Sequence, residues 1–178
     1  IKILLKALGL EEFTRQLEAE FAHLQNGPAT LTQAELDRVS AYFREPAYED
    51  LNNIDFSQAE YADNIAFTRW RERNTRAHKR AGYTSVVLSF KANDIAPGDA
   101  TTAQMLVTAD LAERYSFGEL RVSHEQNLIL ADVPQKHLLD VWKILKDNGM
   151  ATPNVGLLTD IIACPGGDFC SLANARSI

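Results

Sequence analysis

Cysteine is scarce in this chain of 178 residues, with only Cys164 and Cys170, and that count excludes a framework of several disulfides. Long apolar runs are missing too. Stretches such as Val86 to Leu88 fall far short of the roughly 18 residues that a membrane helix needs, and no charged-then-apolar leader precedes a cleavage site. Positive charge is in deficit: Lys+Arg total 18 against Asp+Glu 24, a net charge of −6, which argues against a surface built for nucleic acid. These absences point to a cytoplasmic protein with neither nucleic acid nor membrane among its partners. The chain also lacks an initiating Met. It opens on Ile1 inside a helical pattern and closes on Arg176-Ser177-Ile178 without a Gly or Pro stop, so both ends are expected to be cuts.

What is present is an ordinary globular balance, 46% hydrophobic and 24% charged, enough for one buried core. From Ile1 to about Leu24, apolar residues at helical spacing broken by Gly9 predict two short helices. Thr32-Gln33-Ala34-Glu35 has capping-box form and predicts a third helix to about Phe43. Residues 47 to 63 are acidic and turn-rich and read as a linker wrapping over a surface, with a boundary near Asn64.

Beyond it the pattern changes. Tyr83 to Phe90 is β-branched and aromatic and reads as a strand, followed by a Pro97-Gly98-Asp99 turn. A helix from Thr101 to Tyr115 is predicted to turn Met105, Leu106, Ala109, Ala112 and Tyr115 inward. Leu120 to Ser123 and Leu128 to Leu130 predict two short strands. Pro134 opens a helix with Leu138, Val141, Trp142 and Leu145 inward, and Gly149 stands at its C-terminal cap. The fold class is therefore α+β: a ferredoxin-like β-α-β-β-α unit behind a helical segment, with a closing strand expected near Val155 to Leu158.

Three stretches can carry chemistry. Cys164-Pro165-Gly166-Gly167-Asp168-Phe169-Cys170 places two thiols on a turn able to bend around iron or zinc, although four ligands are usual and two cysteines exist. A local disulfide or two inert thiols are the alternatives, and His23, His78, His124 and His137 have nothing that ties them to the turn. The stretch Arg69 to Arg80 gathers Arg69, Arg71, Arg73, Arg76, Lys79 and Arg80, either an anion-binding patch or a solvated segment. Between the two short strands, Arg121 and Ser123 would share one face and could aim a guanidinium and a hydroxyl at one ligand; a polar hairpin turning at Asn127 is the plainer reading.

The run Arg121-Val122-Ser123-His124-Glu125-Gln126-Asn127-Leu128-Ile129-Leu130, the Gly149 helix end and Ala163-Cys164 with five residues to Cys170, in that order, resemble the sirohaem-containing nitrite and sulfite reductases. The resemblance implies a helical connection and linker at 1–63, the second ferredoxin-like half-domain at 64–158, and at 159–178 the start of a truncated domain for a [4Fe-4S] cluster and sirohaem. It implies six-electron reduction of sulfite to sulfide, with nitrite to ammonia as the alternative and the electron donor, ferredoxin or flavoprotein, undecided. Cys164 and Cys170 match the first cysteine pair of the cluster; the second pair is absent, so this chain alone is expected to be inactive and free of both cofactors. Arg121 becomes the first choice for a sirohaem carboxylate, with Ser123, Gln126 and Asn127 as neutral donors. A stand-alone ferredoxin-like module sharing a metal with a partner is the competing class.

Overall fold

A computed structural model describes residues 1–177, with residues 59 and 60 described by their backbone alone; Ile178, the last residue of the expected cluster segment, lies outside the described residues. The helices are α1 Lys2–Leu8, α2 Leu10–Phe21, α3 Gln33–Ala41, α4 Ala59–Ala62, α5 Ile65–Asn74, α6 Thr102–Tyr115 and α7 Leu138–Asp147. The strands are β1 Thr75–Ala77, β2 Tyr83–Leu88, β3 Arg121–Val122 and β4 Leu128–Pro134. The chain divides into two units, Ile1–Ala47 and the remainder from Tyr48 onward.

In the first unit Gly9, at φ 77, separates α1 from α2, and the Thr32 side chain accepts the Glu35 N–H to start α3. None of these three helices contains a buried residue.

The second unit is built on a four-stranded antiparallel sheet ordered β1-β2-β4-β3. Its core joins Phe67 and Trp70 from α5, Val86 and Leu88 from β2, Leu111 from α6, Leu130 and Val133 from β4, and Leu138, Val141 and Leu145 from α7. Asn64 caps α5 through a 3.0 Å bond from the Phe67 N–H, and the burial of Phe67, Trp70 and Asn74 gives the helix one inward face. Gly149, at φ 69, ends α7: its N–H reaches the Lys146 carbonyl and the Met150 N–H reaches that of Leu145, the double closure of a Schellman motif.

Three expectations are corrected. Residues 155–158 form no strand, because the Gly156 N–H is taken by Asp160 Oδ2 and the Leu157 and Asp160 N–H groups close turns on Asn154 and Leu157. The sheet edge beside β2 is filled instead by β1, from within the basic stretch. Second, α6 buries Thr108, Leu111 and Ala112 and leaves Met105 and Leu106 exposed. Thr108 is tolerated inside because its hydroxyl donates to the Gln104 carbonyl of the preceding turn at 2.8 Å. Third, the acidic stretch belongs with the sheet rather than with the preceding helices. Tyr48 Oη donates to Asp132 at 2.6 Å, and the Gly82 N–H donates to Asn53 at 2.8 Å. A Cβ on Gly82, at φ +77, would stand 2.3 Å from that of Leu51, so only glycine admits this wrap.

Candidate functional site

Pro165 and the 3-10 turn Gly166–Asp168 bring the chain round between the two thiols. Cys164 is exposed and Cys170 half-buried, both as free thiols. The Cys170 N–H donates to the Gly166 carbonyl at 2.9 Å, and the Gly167 N–H donates to the Ala175 carbonyl at 2.8 Å, so residues 175–177 brace the turn from behind. Gly166 has φ +65, and an added Cβ would meet Ser177 N at 2.7 Å. Glycine is thus required here twice over, by backbone angle and by space.

The approach to this turn is pinned by side chains. Gln126 exchanges both amide bonds with one residue: its Nε2 donates to the Ala163 carbonyl at 2.7 Å and its Oε1 accepts the Ala163 N–H at 3.0 Å. Asn127, 2% exposed, donates from Nδ2 to Asp160 Oδ1 at 2.9 Å. Lys91, 4% exposed, sends its ammonium to the Asp160 carbonyl and to Asp160 Oδ1, both at 2.8 Å, and to the Glu125 carbonyl. Burial alone would raise the Asp160 pKa. The bonds from Asn127, Lys91 and the Gly156 N–H outweigh it and hold the carboxyl below its ordinary range.

Beside the turn lies a cavity of about 490 Å³ whose lining includes Phe90, Gly98, Met105, Gln126, Ala163 and Phe169. Arg121 sits on the exposed strand β3 and donates from Nε to Glu119. Ser123 lies outside the strand, and its hydroxyl accepts the N–H groups of Glu125 at 3.2 Å and Asn127 at 3.3 Å. Glu119 thus holds the Arg121 guanidinium, the Ser123 hydroxyl accepts within its own turn, and the Gln126 and Asn127 amides are engaged inside the chain. The histidines lie elsewhere: His78 on Asp132 at 3.0 Å, His124 beside Glu125, His137 against Tyr115, and His23 in the first unit. Among the described residues no group of three or more His, Cys, Asp or Glu could hold a metal ion. The donor set present, two thiols on one turn, fits half of a thiolate cluster site.

The basic stretch folds as the end of α5 and the strand β1. Arg71 and Arg73 sit in the last helical turn, where cations complement the helix terminus, and the Arg71 guanidinium lies 4.4 Å from the centre of the Phe56 ring. Lys91 and Asp160 escaped the sequence reading, because a lysine after an apolar run and an aspartate in a loop carry no periodic signal.

An antiparallel sheet with helices, and a hairpin braced against the cysteine loop, define a ferredoxin-like α+β domain. Residues 79–148 match the family model of the nitrite/sulfite reductase ferredoxin-like half domain. The matched stretch, from the turn before β2 to the end of α7, is thus a ferredoxin-like half domain of the nitrite/sulfite reductase type. It is 29% identical over 116 residues to the chloroplastic ferredoxin–nitrite reductase of Zea mays, covering 62% of this chain and 20% of that protein. It is 39% identical over 80 residues to the assimilatory ferredoxin-dependent nitrite reductase of Haloferax mediterranei, covering 44% and 14%. The Betula pendula chloroplastic enzyme is 29% identical over 136 residues, 74% of this chain and 22% of that protein. The matched regions thus span less than a quarter of these relatives.

Proposed function

We propose that the chain is part of a ferredoxin-dependent nitrite reductase, with a helical connection at 1–47, the half-domain and the segment that wraps it at 48–158, and the entry to the cluster-binding domain at 159–178. The observation that carries this reading is the Cys164–Cys170 turn, tied to the half-domain by the Gln126–Ala163 amide exchange one residue before the first thiol. In this reading Cys164 and Cys170 supply two of the four thiolates of a [4Fe-4S] cluster. Together with sirohaem, that cluster would supply the electron chemistry of a six-electron reduction to ammonia. Arg121, on an exposed strand with a fork suited to carboxylate, is the residue offered to the tetrapyrrole's acid groups.

The sequence-based preference for sulfite gives way to nitrite, because the relatives named above are nitrite reductases, and their names make ferredoxin the favoured donor. Among the described residues no helix is long and apolar enough to cross a membrane. A cytoplasmic or similarly reducing compartment suits the free thiols.

The test is the purified gene product that contains this chain. Sirohaem and iron-sulfur absorption should be present, and reduced ferredoxin should drive nitrite turnover with a kcat/KM above that for sulfite. A colourless protein would sink the reading, and a preference for sulfite would restore the other substrate. Cys170→Ser should remove the cluster spectrum.

A further inference from the structure

We propose that Lys91, Asp160 and Gln126 form a clamp that positions Cys164 for iron from inside the half-domain, a role that rests on the cluster reading above. Residues 154–163 have no strand and only a single 3-10 turn, Leu158–Asp160, yet side chains fix them at three successive points. Asn154 Nδ2 donates to the carbonyls of Lys91 and Thr159 at 3.0 and 3.2 Å. Asp160 is held at both carboxylate oxygens and at its carbonyl. Ala163 is held at both backbone groups by Gln126.

The chemistry of the clamp is closed. An ammonium has three protons to give, and those of Lys91 meet three oxygens, two on Asp160 and one on Glu125. A buried lysine so placed cannot serve substrate; it joins the end of β2, the hairpin turn and the cysteine approach into one rigid piece. Gln126 carries the same message through its backbone. It sits at φ 58, where Gly or Asn would be the less strained residue. A side chain long enough to span to Ala163 is what that position gains from glutamine, and the bond it makes lies next to Cys164. These are positioning residues: each acts on the thiol through the backbone of 160–163.

Gln126→Leu tests this, because it removes both amide bonds from a half-buried site and leaves the core untouched; Asp160→Asn is the second variant. In the chain itself, hydrogen exchange at the Ala163 amide should quicken by about tenfold in Gln126→Leu while the amides of Val86 and Leu130 stay protected. In the longer cluster-loaded protein, both variants should change the EPR signature of the reduced cluster and its reduction midpoint, a readout that simple loss of stability does not move. Unchanged exchange at Ala163 overturns the clamp, and faster exchange with a wild-type EPR signal and midpoint overturns its role toward iron. Absence of an iron-sulfur spectrum in the wild-type protein, seen before any substitution, overturns instead the functional reading on which the role rests.

Discussion

Asp160 shows how one residue can set a loop without belonging to any regular element. Its carboxyl pKa is held down by Asn127, Lys91 and the Gly156 N–H against the opposing effect of burial. A depressed folded value contributes stability that is fully present above the ordinary carboxylate range, about pH 4, and is lost as pH falls through the folded value. Asp160→Asn removes that contribution and strands the Lys91 ammonium in a site 4% exposed, a change that costs about 3–5 kcal/mol at neutral pH. Urea midpoints followed by tryptophan fluorescence should therefore separate wild type from variant most widely above pH 5 and converge below pH 4. Both tryptophans, Trp70 and Trp142, lie in the core of the second unit, so the signal reports the right unit. A gap that stays constant from pH 3 to 7 would remove Asp160 from this role.

At the scale of elements, periodic segments were legible in the sequence and the joints between them were not. α7 buries the four residues its pattern indicates, because Leu138, Val141, Trp142 and Leu145 repeat at helical spacing. The α6 pattern misled, since Met105 and Leu106 are as apolar as core residues while the buried position belongs to Thr108, whose polarity is cancelled within its own helix. The same limit hid β1: three residues, Thr75, Arg76 and Ala77, have no strand periodicity, and pairing with β2 decides their conformation. Asn74 at the joint of α5 and β1 carries a prediction of its own. Fully buried, it donates from Nδ2 to the Val87 carbonyl at 3.2 Å and the Thr152 carbonyl at 3.1 Å, tying helix, sheet and the segment after α7 together. Asn74→Ala leaves a buried and a half-buried carbonyl with one partner fewer each and should destabilise the second unit by about 1–3 kcal/mol, read as a lower urea midpoint with an unchanged slope. An unaltered midpoint would mean that water replaces the amide.

For the molecule as a whole, the question is whether iron is needed to fold the half-domain or only to use it. The cysteine pair, legible from its spacing, stands at the rim: Cys164 is exposed, and neither thiol belongs to the core cluster that runs from Phe67 to Met150. Two thiols on a short turn contribute nothing to that core. The clamp that holds them, invisible in the sequence because its members are scattered at 91, 126 and 160, is built from bonds between protein groups. Metal and fold are coupled only where the ligands close the structure, as in small zinc domains. The longer cluster-loaded protein should therefore keep the urea midpoint of its half-domain, followed by amide exchange at Val86 and Leu130, when a chelator strips the iron, while Cys164 and Cys170 become available to alkylation. A midpoint that falls on chelation would place iron among the forces that hold the half-domain together, and would make the clamp a consequence of metal binding instead of its preparation.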